Sequence, residues 1–189
     1  MNICIFSGTF NPIHLAHLKV AEFALEHYNF DKIIFIPAYL PPHKCINKEL
    51  AEHRFKMVEL AVENNPRFEV SDIEYKSEGK SYSLITVKKI KELYNIKDKV
   101  NFLIGTDAFL NLKSWYKVDE LKALTHFIVF PRCDKINKDD FLFYEQNGFD
   151  FELTDMPYLN ISSTEIRNHS ANSIPKVEEY IKKNGLYVN

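Results

Sequence analysis

Asn2-Ile3-Cys4-Ile5-Phe6-Ser7-Gly8-Thr9-Phe10-Asn11-Pro12-Ile13-His14-Leu15-Ala16-His17-Leu18 is the stretch on which the fold turns. Asn2 to Ser7 is an apolar run of strand length that stops at Gly8. Gly8 lets the backbone turn sharply and approach a ligand without a Cβ in the way. Thr9 offers a hydroxyl and a backbone N–H, and Pro12 fixes φ in the loop before a helix. Leu18, Ala21, Leu25 and Tyr28 then recur at i, i+3, i+7 and i+10, one face of an amphipathic helix.

The same alternation continues along the chain. Lys32 to Ile36 reads as a second buried strand stopped by Pro37, and Phe55, Val58 and Val62 as a helical face closed by Asn64-Asn65-Pro66. Phe68 to Ser71 is a third strand, and Val87, Ile90 and Tyr94 mark a third helix. Val100 to Ile104 before Gly105, and Phe127 to Phe130 before Pro131, are further strands. These strands are continuous apolar runs, as in a parallel sheet covered on both faces. With right-handed crossovers the expectation is an α/β, Rossmann-like doubly wound sheet with helices on both faces. Ligands bind such sheets at the carboxyl ends of the strands, so the site should begin at Ser7-Gly8-Thr9. Between Arg132 and Tyr158 the chain is aromatic and less regular, with Phe149 to Leu153 as a strand. Ser162-Ser163-Thr164-Glu165 has the spacing of a capping box opening a short helix through Arg167. A last helix around Val177, Tyr180 and Ile181 should stop before Asn184-Gly185. With no repeat and no linker-like tract, residues 1–189 read as one domain whose 160–189 portion is helical.

Composition excludes several classes. A hydrophobic share of 46% supports a core, and a net charge of −2 argues against a broad grip on a nucleic-acid backbone. Cys4, Cys45 and Cys133 are odd in number and lack C-x-x-C spacing, which suits a reducing compartment and no structural zinc site. There is no cationic leader and no run of about 18 apolar residues, so the expectation is a cytoplasmic protein with no membrane partner. Homo-oligomer formation is left open.

His14 and His17, three residues apart, project from one side of the first helical turn. Paired imidazoles beside a helix N-terminus make a compact anion site, because the unbonded N–H groups there already favour negative charge. Two alternatives stand beside this reading: polar residues at a helix start, and a pair of metal ligands, for which no carboxylate or third histidine sits at a helpful spacing.

Ser-Gly-Thr-Phe-Asn-Pro-Ile-His-Leu-Ala-His resembles the G-G-T-F-D-P-x-H-x-G-H stretch of nicotinate-nucleotide adenylyltransferases, in the superfamily whose H-x-G-H motif is shared with class I aminoacyl-tRNA synthetases. Four later stretches resemble the same family in the same order: Pro41-Pro42-His43-Lys44, Ser81-Tyr82-Ser83, Gly105-Thr106-Asp107 with Trp115-Tyr116, and Ile161-Ser162-Ser163-Thr164-Glu165-Ile166-Arg167. The closing Asn184-Gly185-Leu186-Tyr187 is similar too, so the resemblance spans nearly the whole chain. Ser7, Asn11, Ala16 and Ile85 depart from the pattern, standing where relatives carry glycine, aspartate, glycine and often aspartate. Ser7 and Ala16 stay small, and Asn11 keeps an acceptor that can brace the loop.

The resemblance implies transfer of AMP from ATP to nicotinate mononucleotide. His14, His17 and Arg167 would carry catalysis. Gly8, Thr9, Phe10, Ser162, Ser163 and Thr164 would hold ATP phosphates, and Asp107 a ribose diol. His43, Lys44, Tyr82, Ser83, Trp115 and Tyr116 would hold the mononucleotide, with Trp115 under the pyridine ring and backbone N–H groups near Ser83 and Tyr116 on its carboxylate. Mg²⁺ would bridge phosphate oxygens mainly through water, with no protein metal site. Rival readings are a sister transferase for nicotinamide mononucleotide, pantetheine phosphate or another phosphorylated acceptor, and a non-catalytic nucleotide sensor. A tRNA synthetase fits poorly with the short chain and the lack of a K-M-S-K-S-like loop.

Overall fold

In the computed structural model, which describes residues 1–42, 48–77, 79–168 and 173–188, the apolar runs form one parallel sheet. Its strands are β1 (Ile3–Gly8), β2 (Lys32–Pro37), β3 (Phe68–Val70), β4 (Val100–Gly105), β5 (Thr125–Phe130) and β6 (Phe151–Leu153). Their spatial order is β3-β2-β1-β4-β5-β6. The helices are α1 (Leu15–His27), α2 (Leu50–Val62), α3 (Ser83–Leu93), α4 (Thr106–Phe109), α5 (Val118–Leu124), α6 (Leu142–Gln146), α7 (Ser163–Arg167) and α8 (Pro175–Lys183).

Alternate residues of β1 explain why both faces are covered. Cys4 and Phe6 face a core built with Val20 and Ala21 of α1, Met57 and Val58 of α2 and Val177 of α8. Ile3 and Ile5 face a second core with Val87 and Ile90 of α3, Leu121 of α5 and Tyr144 of α6. Burying a large aliphatic or aromatic side chain contributes about 1.5–3 kcal/mol, so neither face is left uncovered. This is the doubly wound Rossmann-like architecture that the continuous apolar strands predict. No helix among the described residues is long and apolar enough to cross a membrane.

The strand order reverses between β1 and β4, which are neighbours in space but not in sequence. Their chains leave in opposite directions there, opening a crevice at the carboxyl ends of the strands. Differences from the sequence reading are local. The expected strand from Phe149 shortens to Phe151–Leu153, because the Phe149 N–H donates to the Tyr144 carbonyl at the end of α6. Helices α5 and α6 were not foreseen, since each buries a single residue, Leu121 or Tyr144, and shows no periodic stripe.

Candidate active site

The carboxyl ends of β1 and β4 border a cavity of about 330 Å³. Gly8 and Thr9 line one wall, and Asp107, Trp115 and Tyr116 another; Tyr82 and Ser83 at the start of α3 complete it. Seven of the residues expected at the site therefore share one cavity. His43 and Lys44, expected beside them, lie outside the described residues. The flanking Pro41 and Pro42 do reach the cavity wall.

The turn after β1 is shaped by Phe10. Its backbone has φ +47 and its ring is buried, edge-on to Phe6 at 5.5 Å and to His17 at 5.1 Å between ring centroids. A Cβ at Gly8 would meet that ring at 3.0 Å, so a larger residue would push the ring aside by a few tenths of an ångström. The Phe10 side chain is thus core, and what Phe10 can offer a phosphate is its backbone N–H. The Asn11–Pro12 peptide that follows is cis.

His14 caps α1 with extended backbone, and its ring is completely buried. The His14 and His17 rings lie 3.7 Å apart between centroids, tilted by 34°. The His14 N–H donates to Nδ1 of His17 at 3.1 Å, which puts the proton of a neutral His17 on Nε2. Burial, reinforced by the positive charge of Arg132, pulls the His14 pKa down to about 4, with Glu165 opposing. At neutral pH the imidazole of His14 is therefore uncharged.

Arg167 comes to this turn from the far end of the sequence. Its Nη1 donates to the Asn11 carbonyl at 2.7 Å and its Nη2 to Thr164 Oγ1 at 3.1 Å. Ser163 Oγ donates to the Pro12 carbonyl at 2.8 Å, pinning α7 to the same loop. The capping box forms: Ser162 accepts from the Glu165 N–H at 3.3 Å, and the Glu165 carboxylate takes the Ser162 N–H and hydroxyl, each at 2.8 Å. Asn11 does brace the loop, accepting the Tyr187 hydroxyl at 2.6 Å.

Trp115 is half-buried, packed on the second core at one edge and lining the cavity. Beside it the Tyr82 and Tyr116 rings lie 4.5 Å apart at 31°. The mouth of the cavity is thereby aromatic, suited to a flat heterocycle. Ser83 opens α3, whose first N–H groups have no partner one turn back. Asp107 stands just past β4 with its side chain largely exposed, and its Oδ1 accepts the Ala108 N–H at 2.9 Å.

Three charged residues escaped the sequence reading. Arg132, after β5, donates its backbone N–H to Thr106 Oγ1 at 3.0 Å and brings Nε to 3.9 Å from Asp107 Oδ2. Its stem crosses Gly105 so closely that a Cβ there would sit 2.7 Å from Cγ. Arg132 follows the carboxyl end of a strand, and that position was the available signal. Arg54 of α2 is completely buried and donates to three backbone carbonyls. Glu74, also buried, lines the cavity and accepts the Thr86 hydroxyl at 2.6 Å; burial pushes its carboxyl pKa up.

The cytidylyltransferase-like family model matches residues 5–169. The "Probable nicotinate-nucleotide adenylyltransferase" of Caldicellulosiruptor saccharolyticus is 39% identical over 201 residues, covering 99% of this chain and 99% of that protein. A protein of the same name from Fusobacterium nucleatum is 41% identical over 175 residues, covering 91% of this chain and 89% of its own. Among solved structures, the Plasmodium falciparum nicotinic acid mononucleotide adenylyltransferase complexed with NaAD superposes with a TM-score of 0.80 at 26% identity, over 98% of this chain and 97% of that one.

Proposed function

The chain belongs to the nicotinate-nucleotide adenylyltransferases within the cytidylyltransferase-like family, and on that premise we propose how its residues divide the work. It is a nucleotidyltransferase that moves AMP from ATP to nicotinate mononucleotide, yielding the nicotinate adenine dinucleotide and pyrophosphate. An oxygen of the mononucleotide 5′-phosphate attacks the α-phosphorus of ATP. The bond from that phosphorus to the oxygen bridging to the β-phosphate breaks, and pyrophosphate leaves with the electron pair.

A phosphate monoester is already nucleophilic at neutral pH, so the protein need supply only position and charge stabilisation. The observation that carries this reading is the bond from Arg167 Nη1 to the Asn11 carbonyl, which brings a guanidinium to the turn holding His14 and His17. In this reading His14, His17 and Arg167 stabilise the triphosphate and the leaving pyrophosphate. Gly8, Thr9 and the Phe10 N–H contact phosphate oxygens, joined by the α7 start at Ser162, Ser163 and Thr164. Asp107 accepts from a ribose diol. The pyridine ring stacks on Trp115 beside Tyr82, and N–H groups at Ser83 and Tyr116 take its carboxylate; His43 and Lys44 serve the mononucleotide side.

Mg²⁺ screens the triphosphate charge when bound. It would be held mainly by phosphate oxygens and water. We assign the protein to the cytoplasm. The test is an acceptor panel with ATP and Mg²⁺, read by pyrophosphate release. Nicotinate mononucleotide should give the highest kcat/KM. A clear preference for nicotinamide mononucleotide or pantetheine phosphate would replace the acceptor, and no release with any of them would make the chain a sensor.

A further inference from the structure

We propose that Arg54 is a positioning residue for adenylyl transfer, locking the Thr9–Phe10 peptide so that the Phe10 N–H faces the phosphates while tethering the loop after β2. This rests on the transferase reading above.

Ala51, Arg54, Val58 and Val62 are all buried and follow one another along one face of α2. A permanent cation thus occupies a core stripe, where an apolar side chain of similar volume is commonly at least as stabilising. What an apolar side chain cannot do is organise carbonyl groups. Nη1 of Arg54 donates to the Thr9 carbonyl at 2.8 Å and the Ala38 carbonyl at 2.6 Å, and Nη2 to the Tyr39 carbonyl at 3.0 Å. Thr9 and Ala38 both line the cavity, so one guanidinium ties the turn after β1 to the loop after β2 across its floor.

Peptide geometry converts this into orientation. In a trans peptide the C=O and N–H point in opposite directions. The Tyr39–Leu40 peptide displays the consequence: its carbonyl is on Arg54, and its N–H, that of Leu40, donates outward to Ser81 Oγ at 3.0 Å. Ser81 directly precedes Tyr82 and Ser83 at the cavity wall. By the same rule the Phe10 N–H is turned away from the guanidinium. Phe10 holds φ +47, a conformation uncommon for a bulky residue, so the bond to the preceding carbonyl has a conformation to maintain.

The experiment measures kcat and KM for ATP and for nicotinate mononucleotide in Arg54→Lys and Arg54→Met beside the parent, normalised to the folded fraction from thermal melts. Both variants should lose about 100-fold in kcat/KM for ATP, the scale of an ångström-sized misplacement, with lysine retaining more than methionine. Values within about threefold of the parent in a folded variant would overturn the assignment. A second measurement needs no variant: titrating inorganic pyrophosphate into the ¹⁵N-labelled parent should move the Phe10 amide resonance. A Phe10 amide that stays put while its neighbours at Gly8 and Thr9 respond would overturn the proposal. That titration uses no acceptor, so it separates failure of this inference from failure of the acceptor assignment.

Discussion

His14 makes the folded state sensitive to mild acid in a way that can be worked through from its surroundings. Its ring is fully buried beside Arg132, and the folded pKa is about 4 against an ordinary 6.5. The unfolded chain therefore binds a proton at this position first. As pH falls from 6.5 toward 4, protonation draws the equilibrium toward the unfolded state, and stability present above that window is lost within it. The full displacement corresponds to about 3 kcal/mol, a large share of the ~5–15 kcal/mol that holds a typical domain together. Other groups titrate nearby and with different signs. The carboxyls of Glu69 and Asp150 are held low, by Lys32 and Tyr94 and by Lys99 and His126 respectively, so their contributions fade only at lower pH, and Glu74 is pushed up by burial and acts oppositely.

The contribution of His14 is isolated by His14→Asn, which keeps a good helix N-cap but cannot titrate. Urea unfolding at pH 7, 6, 5 and 4 should give a parent whose stability falls about 3 kcal/mol further than that of the variant over the window. Parallel curves would refute the reasoning, because they would mean that His14 takes up its proton as readily in the fold as in the open chain. A corollary concerns the ligand: a polyphosphate seated beside this neutral imidazole favours its charged form, so ATP binding near pH 6 should be accompanied by proton uptake, visible as a buffer-dependent heat in calorimetry.

His17→Asn should lower kcat by about 100-fold, the usual loss for one preorganised contact to developing charge, while the Tm stays within a few degrees; parent-like kcat in pyrophosphate release would remove His17 from the mechanism. Arg167→Lys keeps the charge but loses the planar fork that reaches the Asn11 carbonyl and Thr164 together, and kcat/KM for ATP should fall about tenfold or more, checked by initial rates. Trp115→Ala should raise KM for the mononucleotide about tenfold with little change in KM for ATP, since stacking on the indole serves only the acceptor. Gly105→Ala should destabilise the chain by about 1–3 kcal/mol in urea titrations, because the added Cβ falls 2.7 Å from both Arg132 Cγ and Asp107 Oδ1.

The sheet was legible because continuous apolar strands separated by helical stripes permit few arrangements, and the crevice followed from strand order. The turn at Ser7 to His17 and the capping box at Ser162 were legible because each carries its own local chemistry. Arg54 was hidden by the habit of reading arginine as surface. The stripe read on α2 ran through Phe55, Val58 and Val62; Val58 and Val62 are buried, whereas Phe55 is only half-buried and Ala51, Arg54 and Met57 complete the buried face. Glu74 lies in a loop with no periodicity, and its burial comes from packing against distant segments. Phe10 was expected to hold phosphate, and its ring is buried in the core with a backbone φ of +47, so only its N–H is left for that task, a detail no pattern of residue types reveals.

If one crevice holds both halves of a dinucleotide, a crystal structure of this chain with NaAD bound will show it. The pyridine ring should lie against Trp115 with its carboxylate at the Ser83 and Tyr116 amides, and the diphosphate between the Gly8–Thr9 turn, His17 and Arg167. A dinucleotide bound elsewhere, or one whose phosphates lie out of reach of both His17 and Arg167, would contradict it.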